Sequence, residues 1–153
     1  MTFSTEAMVS RARQEVVAEA RSWLRTPYHH HARVKGVGVD CAMFLAEVYE
    51  RTGLVEHVET GHYPHDWHDH RDEEMFIAWV QRVGCVPIEK PQSGDIALFR
   101  FGRTFSHGGV MADTATVIHS YLGMGVCTHR LDEAPLARRV VQFWSPPWAA
   151  NSH

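Results

Sequence analysis

Hydrophobic residues in the first half of the chain recur at the spacing of helices. From about residue 5 to residue 25 they fall three or four positions apart among charged side chains, which predicts an amphipathic helix that ends at Pro27. A second helix is predicted from Cys41 to Gly53, and because it is apolar on most sides we expect it at the centre of the fold. A third helix is predicted over residues 72–83, with acidic residues in its first turn.

The second half of the chain has short β-type runs instead of helical spacing. Aromatic and β-branched residues follow Gly94 in runs at about 95–101, 107–112, 115–121, 125–130 and 138–143. Helices followed by a strand meander predict an α+β fold, with N-terminal helices packed on a C-terminal antiparallel sheet of about five strands. There is no internal repeat and no long linker, so residues 1–153 are predicted to form a single domain. Residues 144–148 are expected to pack in extended form across one face.

Composition and charge exclude several classes of protein. Of the 153 residues 44% are apolar, including five Trp and seven Phe, which is ample for a core. The formal charge of -3 arises from fifteen basic and eighteen acidic residues mixed along the chain, so there is no basic stripe and nucleic acid is not an expected partner. No apolar run approaches the roughly 20 residues needed to cross a bilayer, so membrane insertion is not expected.

Of the three cysteines, Cys41 is the candidate for chemistry. Cys41, Cys85 and Cys127 are odd in number and far apart, which favours neither a disulfide framework nor a zinc ribbon. Cys41 lies where a loop becomes a helix, and backbone N–H groups at a helix start favour a thiolate, so a lowered thiol pKa is expected. The alternative is that Cys41 packs in the core as a small hydrophobic residue.

His107 and His119 are the candidates for the partners of a nucleophilic thiol. A thiol needs a base to take its proton, and the base needs a third group that holds it in the right tautomer. A tight turn at Asp113 and Thr114 would place the two histidines opposite or one step diagonal across neighbouring strands, within reach of a hydrogen bond. The glycines at 108 and 109 would leave room for another backbone or a substrate. With twelve histidines in the chain, some proximity is also expected by chance.

Five motifs in order carry a resemblance to a known family. They are Thr26-Pro27-Tyr28, Gly36-Val37-Gly38-Val39-Asp40-Cys41, Ser93-Gly94-Asp95-Ile96-Ala97-Leu98-Phe99, Ser106-His107-Gly108-Gly109-Val110 and Val117-Ile118-His119. Over about residues 10–145 the chain resembles the NlpC family of cell-wall cysteine peptidases. The longer loop before Cys41 and the residues Tyr63, Pro64, Asp66 and Trp67 are most similar to the phage-encoded branch, which includes tail-associated peptidases.

The resemblance implies a papain-like fold and hydrolysis of peptide bonds in peptidoglycan stem peptides, without a metal or other cofactor. Carried over by position, Cys41 is the nucleophile, His107 the general base and acid, and His119 the residue that orients His107. Tyr28 would bind the oxyanion or the substrate, beside the backbone N–H of Cys41. Asp40 would bind substrate amines. The alternatives are a packed aromatic at Tyr28 and a helix N-cap at Asp40, the latter compatible with binding.

The chain departs from the family directly after the cysteine. The family commonly has Ser and then Gly there, whereas this chain has Ala42 and Met43. The serine hydroxyl is associated with recognition of a free stem-peptide N-terminus. Cleavage chemistry needs no group at this position, so the triad is unaffected. The identity of the bond that is cleaved is left undetermined.

The first residues show neither the basic start nor the apolar stretch of a secretory signal. We therefore expect synthesis in the bacterial cytoplasm and action on the wall from a virion or phage-like particle, or after release on lysis. Partners would be stem peptides and phage or phage-like tail proteins.

Other functions remain open at this stage. The histidine-rich segment with His62, His65, His68 and His70 could bind zinc or nickel, although a solvated loop or a flap over the cleft also fits. Residues 29–31 are three histidines whose nearness to Tyr28 allows contact with substrate. The fold could serve as a structural component of a phage tail without turnover. The same thiol could also transfer an acyl group to an acceptor other than water.

Overall fold

The computed structural model describes residues 4–58 and 74–148, and these ranges contain three helices and eight strands. The helices are α1 (Thr5–Arg21), α2 (Cys41–Arg51) and α3 (Met75–Arg82). The strands are β1 (Arg33–Val34), β2 (Gly38–Val39), β3 (Val86–Ile88), β4 (Ile96–Phe101), β5 (Thr104–Met111), β6 (Thr116–Tyr121), β7 (Gly125–Arg130) and β8 (Val141–Ser145). Within the described ranges no helix is long and apolar enough to cross a membrane.

Six of the strands form one antiparallel sheet in the order β3-β8-β4-β5-β6-β7, and β1 and β2 form a separate hairpin. The α+β prediction is confirmed, as is the papain-like arrangement of helices on an antiparallel sheet. The sequence predicted about five strands because β3 is only three residues long and contains Pro87, which lacks an N–H for the ladder.

Helix α2 lies at the centre of the fold, as its apolar sequence predicts. Eight of its eleven residues are buried, and it packs against β5, which is buried along all eight of its residues. The contact is close because β5 has a glycine where they meet: a Cβ built at Gly108 would lie 2.9 Å from Leu45 Cδ1. The helix that begins at Cys41 and the strand that carries His107 are therefore both fixed by the core.

Helix α1 ends four residues earlier than its hydrophobic spacing predicts. The chain leaves the helix after Arg21, and Arg25 adopts a positive φ of 75°. There the Arg25 N–H donates to the carbonyl of Val126, and the Val126 N–H donates to the carbonyl of Thr26. Backbone groups of residues 25 and 26 thus form hydrogen bonds with β7 in place of those of a longer helix. The spacing of hydrophobic residues along the chain cannot predict this contact.

The carboxylate of Asp95, which is fully buried, joins the start of the sheet to the N-terminal helix and the end of the described chain. Its Oδ1 lies 3.0 Å from Arg13 Nη1 and accepts hydrogen bonds from Ser145 Oγ at 3.0 Å and Trp148 Nε1 at 3.2 Å. Its Oδ2 accepts the N–H of Gln92 at 2.9 Å. Residues 144 and 145, expected in an extended tail, belong to β8.

Two further predictions concern residues that lie partly or wholly outside the described ranges. The third helix begins at Met75 and not at residue 72, with residues 72 and 73 outside the described ranges. The histidine-rich segment with His62, His65, His68 and His70, and the motif at residues 63–67, also lie outside the described residues.

Candidate active site

The thiol of Cys41 sits at the first residue of α2 and faces the backbone of β5. Asp40 caps the helix, since its Oδ1 accepts the Met43 N–H at 2.9 Å. Cys41 is only 6% exposed, and its Sγ lies 3.8 Å from the carbonyl oxygen of Ser106. The loop-to-helix position predicted from sequence therefore places Sγ beside the residue that precedes His107.

His107 and His119 are joined by a hydrogen bond between their rings. His107 Nε2 lies 2.7 Å from His119 Nδ1, and both side chains are buried. The pairing of Val110 with Ile118 puts His107 one step diagonal from His119 across β5 and β6. The structure thus joins His107 to His119 and places the thiol of Cys41 beside the backbone of the residue before His107, where α2 packs on the sheet.

The histidine chain continues one residue further, to His129 on β7. His119 Nε2 lies 2.8 Å from His129 Nδ1, and Cys127 Sγ lies 3.9 Å and 3.8 Å from those two nitrogens. Sequence reasoning missed Cys127 and His129. A signal was present, because the runs at 115–121 and 125–130 are joined by a short turn, which pairs His119 with Cys127 and leaves His129 on the same face.

One set of tautomers satisfies this chain when His107 acts as a base. His107 Nε2 is engaged by His119, so Nδ1 is the ring nitrogen left to accept the proton of Cys41. A free Nδ1 lone pair requires Nε2–H on His107, which donates to His119 Nδ1. His119 is then also the Nε2–H tautomer and donates to His129 Nδ1.

Burial moves the thiol and both inner imidazoles towards their neutral forms. Desolvation, followed by the negative charge of Asp40, raises the pKa of Cys41, and the N–H groups of Gly108, Ala42 and Cys41 only partly oppose this. The expectation of a lowered thiol pKa is therefore wrong for the resting site. Desolvation also lowers the pKa of His107, and it lowers the pKa of His119 to about 3.

The two glycines after His107 make room for protein and not for substrate. A Cβ at Gly108 would meet side-chain atoms of Leu45 and Leu98 at 2.9 Å and 3.0 Å. A Cβ at Gly109 would lie 2.4 Å from Val117 Cγ1 and 2.8 Å from the carbonyl oxygen of Ile118. Of the two expected occupants, another backbone or a substrate, the structure shows the backbone: β6 closes on Gly109, and α2 packs against Gly108.

Asp40 uses both carboxylate oxygens on its own chain. Oδ1 caps α2, while Oδ2 accepts the N–H of His31 at 2.7 Å and lies 3.9 Å from His30 Nδ1. The residue is 1% exposed. The geometry therefore supports Asp40 as the N-cap of α2, and its carboxylate also holds the loop that carries residues 29–31 against this helix.

Tyr28 is half-buried and lies near Cys41. Burial raises the pKa of its phenol, and the nearby Cys41 and the charge of Asp40 raise it further, so the hydroxyl remains a hydrogen-bond donor. Its neighbour His29 packs over Gly38, where a Cβ would lie 2.6 Å from the imidazole. Of the three adjacent histidines, His29 and His31 are exposed and His30 is half-buried.

Comparison with known proteins gives one family. The model of the NlpC/P60 family matches residues 25–145 of the chain. No match was found among curated proteins.

Two solved structures share the fold at low sequence identity. The NlpC/p60 domain of the peptidoglycan hydrolase SagA superposes with a TM-score of 0.56 at 17% identity, over 85% of this chain and 96% of that domain. A protein similar to a lipoprotein of the NLP/P60 family, from Staphylococcus aureus, has a TM-score of 0.56 at 16% identity. The match covers 93% of this chain and 42% of that longer one.

Proposed function

This chain belongs to the NlpC/P60 family of peptidoglycan hydrolases, and on that premise we propose that it is a cysteine endopeptidase that cleaves stem peptides of peptidoglycan. The observation that carries the proposal is the position of the Cys41 thiol, 3.8 Å from the carbonyl oxygen of the residue before His107, together with the hydrogen bond between His107 and His119. A structural protein on this fold has no need for a nucleophile, a base and an orienting group in one place.

In the proposed reaction, the Cys41 proton passes to His107 Nδ1 as Sγ attacks the scissile carbonyl. The tetrahedral oxyanion accepts hydrogen bonds from the backbone N–H of Cys41 and from the Tyr28 hydroxyl. His107 then returns the proton to the leaving amine, and the C–N bond breaks to leave a thioester on Cys41. Water, deprotonated by His107, releases the acyl group and restores the thiol.

His119 would act by positioning His107. Its Nδ1 lies 2.7 Å from His107 Nε2 and, as acceptor, fixes the tautomer that leaves Nδ1 of His107 free. The same hydrogen bond stabilises the imidazolium that forms on His107 in the first step. Because the resting thiol and imidazole are both neutral, proton transfer accompanies attack on the substrate and does not precede it.

Which peptide bond is cleaved is not specified by the position after Cys41, because Ala42 carries no hydroxyl. Ala42 is buried and lines an apolar cavity with Phe76 and Val80 of α3. Its methyl group therefore packs within the core, where it offers a substrate amine no polar contact.

Digestion of purified peptidoglycan, with fragments identified by mass spectrometry, tests the proposed activity. Wild type and Cys85→Ala should release the same stem-peptide fragments, and Cys41→Ala should release none. Cys85 is the matched control because it is a free thiol as buried as Cys41, at 6% exposed, and plays no part in the reaction. Equal release by wild type and Cys41→Ala would refute the assignment of the nucleophile.

We also propose that the protein acts as part of a phage or phage-like tail. The support is the resemblance of residues 63–67 and of the longer loop before Cys41 to the phage-encoded branch. Purified tail particles from a strain that carries the gene should contain the chain, detected by antibody after gradient sedimentation. Its presence only in the soluble fraction after lysis would contradict tail association and leave the peptidase proposal untouched.

A further inference from the structure

Beyond the catalytic thiol, three potential metal ligands converge where β6 meets β7. His119 and Cys127 are directly opposite each other in the ladder, and His129 follows two positions later on the same face. The sulfur lies 3.9 Å from His119 Nε2 and 3.8 Å from His129 Nδ1, and the two nitrogens are 2.8 Å apart. The three ligand atoms therefore form a single small triangle.

The size and chemistry of this triangle fit a zinc ion. Bonds of about 2.3 Å to sulfur and about 2.0 Å to nitrogen, at tetrahedral angles, place sulfur about 3.5 Å from each nitrogen and the nitrogens about 3.3 Å apart. Each observed edge differs from these values by about 0.5 Å or less, within the reach of small side-chain rotations. One thiolate and two imidazoles are a donor set that favours zinc over magnesium or calcium.

The burial of the three side chains indicates the side of the sheet from which an ion would reach them. His119 is fully buried, whereas Cys127 and His129 are half-buried. An ion would enter from the β7 side and contact His119 on Nε2, the nitrogen that faces away from His107. A water molecule would complete the tetrahedron on the exposed side.

We propose that His119, Cys127 and His129 bind a zinc-class divalent cation and that this ion inhibits the enzyme by reversing the tautomers of the histidine pair. The site is distinct from the catalytic thiol, since it uses Cys127 and not Cys41. The proposal that a cation binds here rests only on the distances between the three ligand atoms. Inhibition rests on the proposed function, because it requires that His107 be the base.

The reversal follows from counting protons. A cation on His119 Nε2 displaces the proton there, so neutral His119 carries its proton on Nδ1 and donates it to His107 Nε2. His107 must then carry its own proton on Nδ1, the atom that would accept from Cys41. His129 keeps its proton on Nε2, and each imidazole remains neutral. Cys127 loses its proton to solvent when the bond to the metal forms, so one proton is released.

Cobalt(II) is the probe for binding, because a thiolate ligand gives it a near-ultraviolet charge-transfer band that histidines and carboxylates do not. The band should appear in the wild-type protein and persist in Cys41→Ala and Cys85→Ala. It should vanish in Cys127→Ala, and His129→Ala should weaken cobalt binding at least tenfold. A band that depends on Cys41, that survives in Cys127→Ala, or that is absent from the wild type would overturn the proposal.

Hydrolysis with and without zinc tests the inhibition separately. Saturating zinc should slow the wild type at least tenfold, reversibly on addition of a chelator. For Cys127→Ala the ratio of its own rates with and without zinc should be close to one. Inhibition that persists in Cys127→Ala, or cobalt binding without zinc inhibition, would overturn the tautomer mechanism. If the chain cleaved no wall preparation, the cobalt spectra would still decide the metal site.

Discussion

At Cys41, opposing effects act on the thiol, and their balance decides how the reaction starts. Burial and the charge of Asp40 raise the pKa, while three backbone N–H groups lower it by less. A helix N-terminus was the feature visible in the sequence, and the depth at which the thiol would be buried was not. In the proposed mechanism, His107 therefore takes the proton of a neutral thiol as the thiol attacks the substrate, in place of a preformed ion pair.

The raised pKa of Cys41 predicts slow alkylation in the folded protein. Because the thiolate is the reactive form, iodoacetamide should modify Cys41 more slowly than free cysteine at pH 8, with a rate still rising above about pH 9. Peptide mapping by mass spectrometry would follow Cys41 separately from Cys127, with urea-unfolded protein as the control for access. A rate that reached its plateau below pH 7 would instead indicate a thiolate–imidazolium pair.

The positioning role of His119 predicts different outcomes for two substitutions. His119→Leu removes the acceptor for His107 Nε2–H and should lower kcat by about a thousandfold, with KM little changed. His119→Gln retains an acceptor oxygen and should recover at least tenfold of that loss. Steady-state kinetics on a defined stem peptide measures both. Equal kcat values for the two variants would show that the ring contributes only to packing.

Among the secondary-structure elements, the short-range pattern of the sequence was sufficient to predict most helices and strands and the proximity of His107 to His119. The period of two in the strand runs and the turn at Asp113 placed His107 near His119. Three features depended on contacts distant in sequence: the end of α1 at β7, the addition of β3 beside β8, and the glycines of β5 as packing sites. His129 was accessible from the strand pattern, although it lies outside the family motifs that drew attention to His119.

The close approach of β5 and β6 predicts unequal costs for two glycine substitutions. Gly109→Ala would press on the carbonyl of Ile118, which cannot move without shifting β6, and should destabilise the protein by about 3 kcal/mol. Gly108→Ala would press on the flexible ends of two leucines, with the carbonyl oxygen of Ala97 at an ordinary contact distance of 3.4 Å, and should cost about 1 kcal/mol. Urea unfolding of both variants checks this order. A Gly108→Ala variant that is the less stable of the two would contradict the packing described here.

The buried carboxylate of Asp95 predicts a large effect of its loss on stability. Asp95→Ala would leave Arg13 without its buried partner and should lower the free energy of unfolding by about 3–5 kcal/mol. The matched control is Asp132→Ala, whose ion pair with Arg130 is exposed and should contribute little. Urea unfolding monitored by tryptophan fluorescence distinguishes them. Similar stabilities for the two variants would mean that Asp95 does not join α1 to the sheet.

Across the whole molecule, the fold places Cys41 beside the strand that carries His107, 66 positions later in the sequence. It also joins His107 to His119, a further 12 positions along. Helix α2 delivers the thiol, β5 the base, and the neighbouring strands β6 and β7 the histidines behind it. This arrangement connects a buried reaction centre to the surface through a row of imidazoles. The inhibition that we propose would act along this row, from a cation at Cys127 and His129 through His119 to His107.

Digestion of peptidoglycan in water enriched in heavy oxygen, with mass spectrometry of the released fragments, tests directly whether the protein hydrolyses stem peptides through Cys41. Hydrolysis of a thioester on Cys41 should place one heavy oxygen atom in the new carboxylate of each cleaved stem peptide. Cys41→Ala should give no such fragments, while Cys85→Ala should match the wild type. Labelled fragments from Cys41→Ala at the wild-type rate, or no cleavage by the wild type, would contradict the account.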